Sequence, residues 1–313
     1  MSSGYKYIFG PVASRRLGRS LGIDLISYKT CSFDCIYCQV GKTTNQTIER
    51  AEYVPTQAVL TELEQRLKNP PGIDFLTFSG SGEPTLHIAL GQIIKRLKQL
   101  SPLPIAVLTN GSLLWRGDVQ KDLIPADIVL PTLSSPTPEN FQRIHHPHPD
   151  LKLEKIIEGM INFRKIFKGK IWLEVFLVKG INDNEKEMQS LKSIIEKIQP
   201  DKIQLNTSVR VPSEEHPISV DEEKMSALAK ILGERAELIA EFRAEEIKLK
   251  SLPSEEEILN YLRRRPATIQ DLSSGLSLSE KQAEAVLQEL IQKGKIQSQT
   301  WEGKQVFYIV GKK

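Results

Sequence analysis

The sequence predicts an α/β fold in which a partial (β/α)6 barrel is followed by a C-terminal winged-helix domain. Six short apolar runs rich in β-branched residues alternate with amphipathic helical patterns, which is typical of parallel strands joined by right-handed crossovers. The pattern changes after Leu252, where three helical patterns are followed by two strand patterns. We therefore divide the chain into a barrel over residues 1–252 and a smaller domain over residues 253–313.

The barrel is expected to be open, because six strand–helix units are fewer than the eight of a closed β/α barrel. A polar motif follows each predicted strand, and the carboxyl ends of parallel strands lie at one edge, so these motifs predict a single site. The predicted strands are Leu21–Ser27, Asp74–Ser79, Ile105–Asn110, Asp127–Leu133, Ile171–Val178 and Lys202–Asn206, and the helices between them include Thr56–Lys68, Ile88–Leu100, Leu153–Phe167 and Glu185–Ile198.

The composition indicates a globular protein, since 313 residues with 40% hydrophobic content support a sizeable core. The chain has no basic N-terminal region followed by an apolar run, and no window of about 18 uninterrupted apolar residues. We therefore expect a cytoplasmic protein without a membrane partner. The net charge of +3 is too small to indicate nucleic-acid binding by itself.

The three cysteines of the chain lie within eight residues, in the segment CSFDCIYC that follows the first predicted strand. An odd number of cysteines in a cytosolic chain argues against a disulfide framework and indicates metal, cluster or redox chemistry. Thiolates at this spacing suit a [4Fe–4S] cube, of which one iron would be left open to a small molecule. Zinc is the alternative, although structural zinc sites need four ligands and no histidine lies within the segment. The candidate metal ligands are Cys31, Cys35 and Cys38.

The cysteine segment matches the CxxxCxxC signature of radical S-adenosylmethionine (SAM) enzymes, including an aromatic residue, Tyr37, before the last cysteine, and the chain resembles that family. The resemblance implies that the cysteines hold three irons while the amino and carboxylate groups of SAM chelate the fourth. One electron then cleaves SAM to methionine and a 5′-deoxyadenosyl radical, which abstracts hydrogen from a substrate. The resemblance also implies an electron donor of the flavodoxin or ferredoxin type.

Other motifs correspond to the SAM pocket of that family. The segment GSGEPT resembles the glycine-rich segment that receives the methionine ammonium, a group that needs carbonyl and carboxylate acceptors when buried. Taken alone, SGSGE and TNG are also typical of ordinary turns. The SAM contacts that the resemblance implies are Tyr37, Gly80, Ser81, Gly82, Glu83 and Asn110, with Thr132 or Ser134.

Within the family, FGPVASRRLGRSLGIDL at residues 9–25 resembles the group related to tRNA wyosine synthases, as does the later NTSVRVPSEEHP. The resemblance covers about the first 240 residues and implies tRNA or another RNA as substrate. The chain departs from the group in two ways. It has no cysteines for the second, pyruvate-engaging cluster, so that reaction is not expected, and it reads HHPHP where NRPHP is expected.

Basic residues near these motifs are candidates for contacts to an anionic substrate or to the SAM carboxylate, because a guanidinium pairs bidentately with carboxylate and phosphate. The histidines of HHPHP could also transfer protons. The alternatives are a solvated surface loop for SRRLGR and a polar, proline-punctuated loop for HHPHP. The candidates are Arg15, Arg16, Arg19, His145, His146, His148 and Arg210.

The C-terminal segment begins with Ser254 and Glu257, which have capping-box spacing, and Gly294 fits a helix end. Winged helices often bind nucleic acid, yet residues 254–313 carry nine Lys or Arg against eight Asp or Glu. The expected recognition helix is also acidic, which is unfavourable for phosphate binding. Protein contact, dimerisation and substrate presentation therefore remain alternatives.

The sequence as a whole predicts a radical SAM enzyme with one cluster, acting on a tRNA or RNA nucleoside. One alternative is an enzyme of the same kind that acts on a peptide or protein. The other is an iron–sulfur redox sensor with a DNA-binding winged helix, a function that leaves GSGEPT and the polar strand ends without a role.

Overall fold

An eight-stranded sheet with surrounding helices is followed by three helices and a hairpin in the computed structural model, which describes residues 5–68, 72–208, 219–239, 255–264, 266–276, 278–301 and 304–310. Arg210 and the boundary predicted at residue 252 lie outside these residues. The first part contains β1 Ile8–Ser14, β2 Gly18–Ile23, β3 Thr30–Cys31, β4 Asn45–Gln46, α1 Thr56–Leu67, β5 Phe75–Phe78, α2 Leu90–Leu100, β6 Ile105–Thr109, α3 Gly117–Leu123, β7 Ile128–Pro131, α4 Pro138–His145, α5 Leu153–Ile166, β8 Lys170–Leu177, α6 Glu185–Ile198, β9 Lys202–Thr207, α7 Glu222–Leu232 and β10 Ala236–Leu238. The second part contains α8 Glu255–Arg264, α9 Ile269–Leu276, α10 Glu280–Gln292, β11 Ile296–Trp301 and β12 Lys304–Ile309.

The sheet has the order β1-β2-β5-β6-β7-β8-β9-β10, and every neighbouring pair from β2 to β10 is parallel. All six predicted strands are present, which confirms the α/β fold with a parallel sheet. Two strands that we did not predict flank them. The β1 strand pairs antiparallel with β2 and is interrupted by a register shift between Phe9 and Val12, and β10 is only three residues long.

Two predicted elements show how local chemistry sets the bounds. The α6 helix matches its predicted range, because Asn184 caps its first turn by accepting from the Glu187 N–H at 3.0 Å and its buried residues recur at helical spacing. The first predicted strand, by contrast, ends at Ile23 rather than Ser27. The Asp24 carboxylate accepts a hydrogen bond from the Ile26 N–H at 3.3 Å, which turns the chain away from the sheet.

The sheet is curved, because the β1–β2 turn reaches a strand four places away. The Arg16 guanidinium of this turn lies 3.0 Å from the Glu174 carboxylate of β8, whereas β2 and β8 would be about 19 Å apart in a flat sheet. The neighbouring Leu17 packs on Ile128 and Leu130 of β7. The curvature is that expected of a partial barrel, with the turn packed against its interior.

The C-terminal segment has its own hydrophobic core, formed among α8, α9, α10 and the hairpin β11–β12. This core also receives Val12 of β1, and Asn260 Nδ2 donates to the Tyr5 carbonyl at 3.4 Å. Gly294 follows the end of α10 at a φ of 65°, as predicted for a helix end. The order of elements is that of the winged-helix pattern, and assignment to that class of domain stays a prediction. None of the helices in the described ranges is both long and apolar enough to span a membrane.

Replacing Arg16 by Met should lower the free energy of unfolding by about 3 kcal/mol, because Glu174 would stay buried without its cation. Arg19→Met is the matched control from the same hairpin: Arg19 pairs with the half-exposed Asp74, so its loss should cost about 1 kcal/mol or less. Urea unfolding monitored by circular dichroism measures both. Equal losses in the two variants would contradict the importance of the Arg16–Glu174 pair.

The contribution of the Arg16–Glu174 pair to the free energy of unfolding should depend on pH. Burial opposes ionisation of Glu174, but Arg16 and the hydrogen bonds from Asn206 and Thr132 outweigh it and hold the pKa below its usual range. The carboxylate therefore stabilises the fold above about pH 4.3, and this contribution is lost as pH falls through the lowered pKa. Loss of Arg16 would remove the largest of the effects that lower this pKa, so the pKa of Glu174 should rise. The wild type and Arg16→Met should therefore differ less in free energy of unfolding at about pH 4 than at about pH 7. The midpoints of urea unfolding of both proteins at these two pH values test this.

Candidate functional site

The cysteine segment is fixed by backbone pairing with the residues that end and follow α4. The Asp34 N–H donates to the His145 carbonyl at 2.9 Å, and the Ile36 N–H donates to the Ile144 carbonyl at 3.0 Å. The His148 N–H in turn donates to the Ser32 carbonyl at 2.9 Å. The HHPHP segment thus positions the cysteines through its main chain, a role that its side-chain chemistry did not indicate.

Each cysteine sulfur contacts a side-chain nitrogen from a different part of the chain. Lys29 Nζ lies 2.9 Å from the Cys38 Sγ, and His145 Nδ1 lies 3.2 Å from the Cys35 Sγ. Asn110 Nδ2, which follows β6, lies 3.5 Å from the Cys31 Sγ. Donors directed at sulfur favour thiolates and are the outer-shell contacts that tune iron–sulfur centres.

The chemistry of these donors fits a bound anionic cluster. Lys29 is 2% exposed, and no carboxylate of the described residues forms an ion pair with it. Burial lowers the pKa of Lys29, but the sulfurs of Cys38, Cys31 and Cys35 together outweigh burial and the net shift is upward. A buried ammonium needs an anionic partner, and thiolates carrying iron supply one.

Burial makes free thiolates unfavourable at two of the cysteines. It raises the pKa of Cys31 to about 12, with the Glu83 carboxylate adding to the effect, and it raises the pKa of Cys35 well above the usual range. Iron binding replaces the thiol proton and removes this obstacle. No group of three His, Cys, Asp or Glu side chains in the described residues converges as ligands of one metal ion do. The thiolates of a cube ligate different irons, so they need not converge in that way.

The three histidines of HHPHP have different surroundings. His145 is 1% exposed and packs against Phe33, Tyr37 and Phe141, and burial lowers its pKa to about 3, with His146 adding to the shift. His146 ends α4 in the left-handed conformation, at a φ of 39°. The partly exposed His148 accepts from the Asp150 N–H at 3.3 Å. Of the three side chains, only that of His145 is directed at a cysteine.

The GSGEPT loop is fixed against the segment that leads into the cysteines. Ser81 donates to Asp24 from both its N–H, at 3.1 Å, and its hydroxyl, at 2.6 Å. Gly82 lies so close to the Thr30 carbonyl that an added Cβ would be 1.8 Å from its oxygen. Sequence reasoning missed Asp24, which lies at the end of β2 where polar site residues are expected.

Glu83 is 2% exposed and is held by donors from two neighbouring strand ends. Its carboxylate accepts from the Thr109 hydroxyl at 2.6 Å, the Asn110 N–H at 2.7 Å and the Thr85 N–H at 3.0 Å. Burial raises its pKa, although these hydrogen bonds partly offset the effect. Glu83 therefore ties the GSGEPT loop to the residue that contacts Cys31.

The remaining predicted SAM contacts lie at or near the ends of β7 and β8. Tyr37 stacks on Phe176 with ring centroids 3.7 Å apart. The Thr132 hydroxyl donates to Glu174 at 2.9 Å, and the fully buried Ser134 hydroxyl accepts from the Phe176 N–H at 3.3 Å. The structure thus brings the predicted SAM-pocket residues to neighbouring strand ends.

The predicted arginine cluster lies at the opposite end of β2 from the cysteines. Arg16 pairs with Glu174 inside the curved sheet, and Arg19 pairs with Asp74 near the surface. Arg15 is close enough to Glu174 to lower the pKa of that carboxyl. Their role as contacts for an anionic ligand stays a prediction, as does that of Arg210.

A cavity of about 650 Å³ opens between the N-terminal residues, the GSGEPT loop and α8. Four of the seven tyrosines of the chain line it, and Asp24 and Ser81 connect it to the GSGEPT loop. The lining tyrosines are Tyr5, Tyr7, Tyr28 and Tyr53, with Asn260 and Arg263 on the α8 side.

Comparisons with known proteins show the family to which the chain belongs. Residues 25–191 match the model of the radical SAM superfamily. The chain is 36% identical over 308 residues to UPF0026 protein MJ1312 of Methanocaldococcus jannaschii, covering 96% of this chain and 95% of that protein. It is 38% identical over 301 residues to a Brachyspira hyodysenteriae protein named GTPase Obg, covering 95% of this chain but 44% of that protein, so it spans less than half of that relative.

A solved structure shares the fold. The structure of TYW1 with a lysine-pyruvate adduct bound superposes with a TM-score of 0.53 at 19% identity, covering 73% of this chain and 76% of that one. The chain belongs to the radical SAM superfamily, whose members are enzymes that use a [4Fe–4S] cluster and SAM and that need a reductant.

Replacing Glu83 by Gln should lower the free energy of unfolding by about 1 to 3 kcal/mol, because one of its buried donors would face an amide NH2 group. Glu158→Gln, on the exposed face of α5, is the control and should change it by less than about 0.5 kcal/mol. Urea unfolding measures both. A neutral effect of Glu83→Gln would show that the carboxylate does not hold the loop.

Proposed function

We propose that this protein cleaves SAM reductively at one [4Fe–4S] cluster held by Cys31, Cys35 and Cys38, and that the resulting 5′-deoxyadenosyl radical abstracts a hydrogen atom from a substrate. When bound, the cluster supplies the electron that splits SAM into methionine and the radical. The observation that carries the proposal is the proposed ligand set itself: three sulfurs lie on one backbone-paired segment, each contacted by a side-chain nitrogen.

The residues around the cysteines would bind and orient SAM. Carbonyl oxygens of the GSGEPT loop are suitable acceptors for the methionine ammonium, and the negative charge of Glu83 favours the same cation. Its burial excludes water, which strengthens such contacts. The strands that precede these residues, β5, β6 and β7, are neighbours in the sheet. The proposed SAM contacts are Tyr37, Gly80, Ser81, Gly82, Glu83, Asn110, Thr132 and Ser134.

We propose a nucleoside within tRNA or another RNA as the substrate. The resemblance of residues 9–25 to the group related to tRNA wyosine synthases supports this class. The tyrosine-lined cavity supports it independently, since bases of single-stranded RNA stack on aromatic rings. Residues 253–313, as a winged-helix domain, would help to hold the RNA, and a flavodoxin or ferredoxin would serve as electron donor.

The reaction is tested on protein whose cluster has been reconstituted without oxygen. With SAM and dithionite, the wild type should form 5′-deoxyadenosine, measured by liquid chromatography. Cys35→Ser should bind less iron and form no 5′-deoxyadenosine, because one of three thiolate ligands is lost. Lys42→Met, an exposed change in the same region, is the control and should behave as the wild type. Cluster spectra unchanged by SAM, with no 5′-deoxyadenosine, would refute the proposal and favour a redox sensor.

The substrate class is tested separately. Nucleosides from total tRNA are compared by mass spectrometry between cells with and without the gene, and one modified nucleoside should be missing when the gene is deleted. Addition of unmodified tRNA from the deletion strain should also increase formation of 5′-deoxyadenosine by the wild-type enzyme. An unchanged nucleoside profile, with stimulation by a protein fraction instead, would replace RNA by a peptide or protein substrate.

A further inference from the structure

Lys29 stands two residues before the first cysteine, in a segment where none of the family motifs considered above required a cation. Its Nζ lies 2.9 Å from the Cys38 Sγ and donates a second hydrogen bond to the Gly41 carbonyl. The Lys29 N–H donates to the Thr44 hydroxyl at 3.1 Å, and the Lys29 carbonyl accepts from the N–H groups of Thr44 and Asn45. The residue is therefore held at both ends, and its ammonium has a defined position.

The Lys29 ammonium is buried beside a sulfur rather than beside a carboxylate. Burying an ammonium without a carboxylate partner is unfavourable unless another anion lies beside it. The anion beside Lys29 is the thiolate of Cys38, which is a proposed ligand of the cluster. The ammonium of Lys29 therefore places a positive charge directly beside Cys38.

The other two nitrogen groups that contact sulfur differ from Lys29 in kind. Asn110 donates from an uncharged amide that also serves the Ser32 hydroxyl at 2.9 Å. His145 is packed among three aromatic rings. Lys29 is the only aliphatic ammonium among the three, and its burial leaves the charge largely unscreened by salt.

We propose that Lys29 is a positioning residue of the cluster whose buried ammonium stabilises the one-electron-reduced form and thereby raises its reduction potential. Reduction adds one electron, supplied by the external reductant, and so adds one negative charge beside Cys38. A fixed positive charge at 2.9 Å from that sulfur favours the added charge. The inference rests on the proposed function, since it requires Cys38 to be a cluster ligand.

The test is an EPR-monitored titration of the reconstituted wild type with dithionite, repeated on two variants that lack the charge. Lys29→Met removes the ammonium at similar length, and Lys29→Gln also removes the charge but keeps a donor. In both, the ratio of reduced to oxidised cluster at a given potential should fall by about tenfold or more, which is a shift of about 59 mV to more negative values for one electron. Lys29→Arg should stay within about threefold of the wild type, because it keeps the charge.

Lys42→Met is the matched control, since it removes an exposed lysine from the same region and should leave the potential unchanged. Iron content and the unfolding midpoint of each variant separate a potential shift from a folding defect. Wild-type potentials in both neutral variants would overturn the inference while leaving the proposed function intact. Loss of the cluster from both, with its retention in Lys29→Arg, would overturn it in favour of a role in assembly. Failure of the wild type to take up a cluster would instead refute the proposed function.

Discussion

The cysteine segment pairs antiparallel, main chain to main chain, with the residues around the end of α4. The rest of the site depends on this constraint. Two N–H groups of the segment, those of Asp34 and Ile36, donate to carbonyls at the end of that helix, and the Ser32 carbonyl accepts from His148. Because main-chain groups make these bonds, the cysteine side chains remain available as ligands. The left-handed conformation of His146 reverses the chain and makes the return pairing feasible.

Buried charged side chains surround this paired segment, and each lies beside groups that compensate its charge. Lys29 is beside Cys38, Glu83 is held by hydroxyl and N–H donors near Cys31, and Glu174 is paired with Arg16 inside the curved sheet. Buried charges rarely add stability compared with apolar residues, but removal of one partner is costly. The arrangement therefore disfavours alternative packings of the interior and restricts where a charged ligand can be accommodated.

Local patterns sufficed for the repeating elements and for singling out the three cysteines as candidate ligands. The six parallel strands followed from apolar runs, the bounds of α6 from its cap and helical spacing, and the three cysteines from their spacing within eight residues. The contacts that position these groups could not be predicted in the same way. Arg16 and Glu174 are 158 positions apart, and the Cys35–His145 contact spans 110, so nothing in either local segment indicates the other. Lys29 and Asp24 lie shortly before CSFDCIYC in the sequence, but no known spacing relative to the cysteines predicts a role for them.

The packing of β1 against α8 and α9 bears on how the molecule unfolds. Val12 of β1 belongs to the C-terminal core, while β1 is also an end strand of the large sheet. An uncovered end strand would present unpaired main-chain groups to other molecules. The C-terminal helices thus act as an edge cover, and the two parts should lose structure together in a single cooperative transition. A version of the protein shortened before α8 would be prone to self-association through its exposed first strand.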